Sequence, residues 1–228
     1  MLLRIVSILF PMFAIAAVGY AAGRFTRPDL SHANKLNMDV FVPALIFGAL
    51  ASKDFRLGEY LPLLGATTVV VVGSGLAGWA LARLAGLQPK TFVPPMMFNN
   101  AGNIGLPLAV LAFGEVALAP AVVMFMVSNL AHFTFGAWLL DHRVRLTTIW
   151  RVPTVLATAA GLAVGLLGVA VWEPLMISIR MLGDISIPLM LFALGVRMAD
   201  SRIAAIGFGV FGAVARPLVG MALAWAVM

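Results

Sequence analysis

The stretch "FNNAGNIGLP", Phe98–Pro107, sets Asn99, Asn100 and Asn103 beside Gly102, Gly105 and Pro107 and carries no charge. Asparagine amides donate and accept hydrogen bonds without ionising. Glycine weakens a helix and proline removes one of its donors, so backbone groups next to them become free to bind something else. Residues of these types in this spacing suit the binding of a polar or charged solute better than bond-making chemistry. Four other places could contribute charge: Arg216 before Pro217, Arg180 with Asp184 four residues on, Asp39, and the lone His132. Enzyme chemistry finds little support. The chain has no cysteine, no HExxH and no acidic cluster for magnesium, and Val72-Gly73-Ser74-Gly75 fails the GxSG pattern at its first position. No metal or cofactor is therefore expected, and the reading is that of a protein that is not an enzyme.

These residues must be positioned by elements built almost entirely of hydrocarbon. Hydrophobic residues make up 62% of the 228 and charged ones 11%, far below the roughly one quarter usual in soluble domains. Uncharged apolar runs near the roughly 20 residues needed to cross a bilayer recur from Ile5–Gly23 to Ile203–Met228. Breaks at charges and turn residues give eight spans, near 3–23, 36–52, 60–83, 91–113, 119–140, 152–171, 176–196 and 203–228. Alternating the loops puts Arg24, Arg27, Lys35, Arg83, Lys90, Arg143, Arg145, Arg151, Arg197 and Arg202 on one side and Arg4, Lys53 and Arg56 on the other. The rule that cytoplasmic loops are positive then places the first set in the cytoplasm and the amino terminus outside. The net charge of +6 marks this topology and contact with anionic lipid, not a nucleic-acid partner.

An internal repeat organises the spans. "DVFVPALIF" from Asp39 recurs as "DISIPLMLF" from Asp184, and Pro11/Gly19/Gly23 recur as Pro153/Gly161/Gly165. The two offsets are nearly equal, and five spans separate the mates, so the copies enter the membrane from opposite sides. Inverted repeats of this kind are an architecture of secondary transporters. The repeat also makes the first span a helix rather than a signal peptide, since its mate is internal. The expected fold is an all-α polytopic membrane protein of two inverted five-helix repeats, five helices in 1–148 and three in 149–228. Completing the second repeat would take roughly 60–80 further residues, so the sequence is expected to be a piece of a ten-span protein. A natural eight-span protein is the alternative.

Irregular backbone survives at membrane depth only where protein or water covers it. With Pro107 unable to bond the Asn103 carbonyl and Gly102 and Gly105 nearby, the span 91–113 is expected to break near Asn100–Leu106 and to hold a small polar site. Asn99, Asn100, Asn103, Gly105 and Pro107 are the candidate substrate-binding residues. Asparagines that merely tie helices together are the alternative. Arg216 must face protein or water, and both a role in the site and a structural pairing stay open. Asp184 shares with Arg216 a candidacy for charge or ion coupling, although neutralisation by Arg180 is the first expectation for it. Asp39 reads as a solvated interfacial carboxylate, with a proton relay as the alternative, and His132 as a packed, hydrogen-bonded residue, with a titrating role as the alternative.

"NNAGNIGLPLAVLAFGE", the opening "ILFPMFAIAAVGYAAGRF", "VFVPALIF" and "IPLMLFALGVRM" together resemble the auxin efflux carrier family of bacterial permeases, whose relatives include plant PIN carriers and malate permeases. The resemblance covers essentially the whole chain and implies ten helices in two inverted repeats. Helices one, two, six and seven would form a scaffold, three to five and eight to ten a transport domain, and the fourth and ninth would be broken. It also implies that Asn100, seven residues before Pro107, lies by a bound carboxylate. The implied function is alternating-access transport of a small organic acid across the bacterial inner membrane. A channel and a non-transporting fragment are the alternatives. The lipid bilayer and a second copy of the chain, in a homodimer, are the other partners expected.

Overall fold

The computed structural model describes residues 2–52, 55–136, 139, 151–201 and 206–227. Every regular element among them is helical. Stretches long and apolar enough to cross a membrane run over Leu3–Phe25, Leu57–Leu84, Pro89–Phe113, Glu115–Gly136, Glu173–Asp200 and Gly209–Ala226, with a shorter apolar helix at Pro153–Leu167. The chain is thus a polytopic, all-helical membrane protein. The loop cations Lys53, Arg143, Arg145 and Arg202 lie outside the described residues, as does the start of the last span at Ile203.

The chain divides into two compact units. The first comprises Met1–Glu59, Gly102–Val122 and Thr148–Ser201. It contains α1 (Leu2–Phe25), α2 (Ser31–Leu36), a π turn at Asn37–Phe41 leading into α3 (Val42–Leu50), α6 (Leu106–Phe113), α8 (Pro153–Leu167) and α9 (Glu173–Asp200). Helix α9 outruns its expected span because Glu173 and Pro174 start it favourably and Arg197 sits in its last turn, where a cation suits the helix dipole. Helix α8 stops short, at Leu167 rather than 171, because Gly168 adopts φ 63° and turns the chain left-handed. Ahead of α2, the backbone N–H and the hydroxyl of Ser31 both donate to Asp29, which holds that carboxyl below its usual range.

Small residues set the packing of this unit. A Cβ on Gly19 of α1 would collide with the Phe192 carbonyl of α9, and one on Gly195 of α9 would collide with the Ala16 carbonyl of α1. On the α3–α8 contact, a Cβ on Gly161 would lie 3.4 Å from the Phe47 Cα and one on Gly165 2.7 Å from the Leu50 carbonyl. A Cβ on Gly183 of α9 would lie 2.9 Å from the Leu45 Cα of α3. Without a hydrophobic drive between helices in lipid, such close backbone approach supplies the van der Waals contact that holds them. Val42, Ile46 and Leu50 of α3 are buried at its centre.

The second unit comprises Tyr60–Ala101, Val123–Thr147 and Arg202–Met228. It holds most of α4 (Leu57–Leu84), α5 (Pro89–Met97), most of α7 (Leu118–Ala131) with the π turn His132–Gly136 that follows it, and α10 (Ile206–Ala226). Ala82, Phe92 and Met96 form its buried cluster, with Leu81, Ala215 and Val219 packed around them, and Phe211 of α10 stacks on Phe92 at 5.5 Å. A Cβ on Gly78 would lie 2.7 Å from the Met96 Cβ, so α4 and α5 meet closely there.

Candidate functional site

The span with the asparagines does break, earlier than expected. Helix α5 ends at Met97, Phe98 is extended (φ −105°, ψ 124°), and Phe98, Asn99 and Asn100 belong to no helix. A π turn at Ala101–Gly105 then leads into α6. Pro107 therefore does not make the break. It sits where the π turn passes directly into α6, with Gly105 already helical, and the widening of the helix at that turn accommodates a residue that lacks a donor. The expectation of an unwound centre over Asn100–Leu106 is corrected to Phe98–Asn100.

Phe98 is fixed by its neighbours in the second unit. Its ring meets the edge of His132 at 4.9 Å, and a Cβ on Gly136 would lie 2.8 Å from the Phe98 Cε2. His132 also meets Phe133 at 5.6 Å. The histidine is packed as expected, but by ring contacts; among the described residues it has no hydrogen bond.

Ending α5 at Met97 has a further effect. The carbonyls of a helix's last turn lack donors within the helix. One of them, that of Met96, accepts a long hydrogen bond of 3.4 Å from Nε of Arg216 in α10. The half-buried Arg216 is also a wall of a cavity of about 350 Å³ in the second unit, together with Val70, Val71 and Ser74 of α4, Met97 of α5, and Asn99 of the break. Neither Ser74 nor Asn99 makes a side-chain hydrogen bond to another described residue, and no described carboxylate lies within ion-pairing distance of Arg216. An arginine at the bilayer centre costs at least about 2.5–3.5 kcal/mol, and one long bond to a neutral carbonyl offsets only part of that. What the cavity offers is a guanidinium with free donors, an amide and a hydroxyl beside apolar walls. That set can hold a carboxylate in a charge-assisted, two-pronged contact.

Of the residues picked out in the sequence, the cavity brings together Asn99 and Arg216. Asn100 lies in the same unit but not on the cavity wall. Asn103, Gly105, Pro107 and Asp184 belong to the other unit, and both Asn100 and Asn103 are already engaged by partners. The expected Arg180–Asp184 pair is absent. The Arg180 Cγ lies within 3.7 Å of where a Gly48 Cβ would stand, so its stem runs across α3 instead of along its own helix. The order, with the cation preceding the carboxylate, is also the weaker one for such a pair. The same order closes in the first repeat, where Lys35 meets Asp39 at 2.7 Å and both stay exposed. Ser74 was not singled out in the sequence as a residue of the cavity. Its signal was Gly73 and Gly75 on either side, which let Leu223 and Met97 pack closely beside a polar residue in mid-span.

Residues 4–149 match the membrane transport protein family. A protein of Rhizobium meliloti (strain 1021) named "Putative malonate transporter" is 27% identical over 215 residues, covering 86% of this chain and 67% of that protein. No solved structure matches the chain significantly. A chain whose described residues are helical and include six stretches long and apolar enough to cross a membrane, with a broken span at the asparagines and a match over well over half its length, belongs to the membrane transport protein family, that of the auxin efflux carrier permeases.

Proposed function

We propose that this protein carries a small organic acid anion across the membrane by alternating access, with the carboxylate on Arg216 and Asn99. The observation that carries the reading is a membrane-embedded guanidinium with unused donors, facing a cavity beside an unpartnered amide. A relative named for malonate supports the substrate class. The inverted repeat is supported by mates that make equivalent contacts. Gly19 packs on Phe192, while its mate Gly161 packs on Phe47, the mate of Phe192. Division into a scaffold (α1 to α3, α8 and α9) and a transport domain is supported by the grouping of those elements in the two units. Residues 102–122 depart from it, since they group with the scaffold elements. The distribution of loop cations supports an amino terminus outside a bacterial inner membrane.

Counterflow tests the proposal. Proteoliposomes preloaded with an unlabelled carboxylate should accumulate labelled carboxylate transiently and saturably, and Arg216→Gln should abolish this at equal protein content. Flux that never saturates would indicate a channel, and undiminished counterflow in Arg216→Gln would remove the site.

A further inference from the structure

We propose that the cavity of the second unit selects by charge, accepting one carboxylate per ligand: a monocarboxylate, or the monoanion of a dicarboxylic acid, in preference to a dianion. The inference rests on the cavity being the substrate site, and it concerns which organic acids enter. Three elements form the walls. Helix α4 contributes Val70, Val71 and Ser74, α5 and its exit contribute Met97 and Asn99, and α10 contributes Arg216. Arg216 is the one charged or titratable group among the described wall residues.

A first carboxylate placed on the guanidinium neutralises it and uses its free donors. A second carboxylate that stays inside this half-open cavity of about 350 Å³ has only the Asn99 amide and the Ser74 hydroxyl, which are neutral dipoles, and apolar side chains. Neutral dipoles compensate an ion taken from water far less well than a counter-ion does. The field of Arg216 is further weakened from behind. Its Nε–H lies on the Met96 carbonyl in the last turn of α5, the end of a helix that carries roughly half a negative charge. A dianion would leave the site with a net negative charge, whereas a monoanion leaves it near neutral. For a dicarboxylic acid the species bound is then the half-protonated one, and the proton enters with the ligand without any titrating side chain of the wall.

Malonate and malonamate separate charge from shape, since they are nearly isosteric and differ by one negative charge at neutral pH. Equilibrium binding of each to the purified full chain should show malonamate at least about tenfold tighter, with Arg216→Gln losing both and Arg216→Lys keeping the preference at lower affinity. Thermal unfolding of each variant checks that it is folded. Binding of malonate as tight as malonamate or tighter, still dependent on Arg216, would overturn charge selection and leave the carboxylate site standing. No binding of either acid, or binding indifferent to both substitutions, would remove the site itself and this inference with it.

Discussion

Arg216 shows how a single residue's position follows from a break elsewhere in the chain. The sequence presents it as a buried cation with either a structural or a binding role; its Nε donates to the Met96 carbonyl, and the residue also lines the cavity, which supports the binding role proposed for it. The contact with Met96 was not legible because the carbonyl becomes available only when α5 stops at Met97. Asn99 was legible as a polar residue in an apolar span, though not as the asparagine that shares a cavity with Arg216, since spacing alone cannot rank three neighbours around a break. A hydrogen bond to a charged group contributes about 1.5–3 kcal/mol, so Asn99→Ala should weaken carboxylate binding roughly tenfold to a hundredfold. Ser74→Ala should weaken it by less, and a titration of the two variants in parallel measures both. At Asp29 the sign of a pH effect is fixed. A depressed carboxyl pKa stabilises the turn above its unfolded value and loses that contribution as pH falls through the folded one. The Ser31 amide should therefore lose its protection from hydrogen exchange only in acid.

At the scale of elements, prolines and glycines announced a break but misplaced it. Pro107 looks like a helix breaker because it lacks a donor, yet the helix runs through it, because the π turn Ala101–Gly105 just before it widens the backbone where the bond is missing. Pro107→Ala should accordingly leave carboxylate binding within about threefold, in contrast to Asn99→Ala, and equal losses in the two would move the site toward the π turn. Helix packing makes a second, independent prediction. Adding a methyl at Gly19 or Gly195 drives it into a backbone carbonyl, and backbone cannot swing aside as a side chain can. Gly19→Ala and Gly195→Ala should each cost about 1–3 kcal/mol in thermal or denaturant unfolding. Gly65→Ala, with nothing within 4 Å, should be neutral or slightly stabilising through helix propensity. The recurrence of Gly19 and Gly161 was legible as a repeated motif. What each glycine packs against was not, because that depends on which helix lies opposite.

For the whole molecule, composition and span length were enough to read a polytopic helical membrane protein, and the motifs were enough to read its family. Helix ends were less legible: α9 gains residues from favourable termini and α8 loses them to a left-handed glycine. Orientation rests on loop charge and makes a direct prediction. A cysteine replacing Ser31 should be protected from an impermeant reagent added outside, and one replacing the exposed Gly58 should react. Reversal of the two would invert the topology. The central claim, that a carboxylate sits on Arg216 in the cavity beside Asn99, is tested most directly by locating one. A structure of the protein soaked with a short bromine-labelled carboxylate should show a single anomalous peak inside the cavity, flanked by Val70 and Met97, with the carboxylate on the guanidinium. A peak elsewhere in the membrane region, or an empty cavity at a concentration that saturates binding, would contradict it.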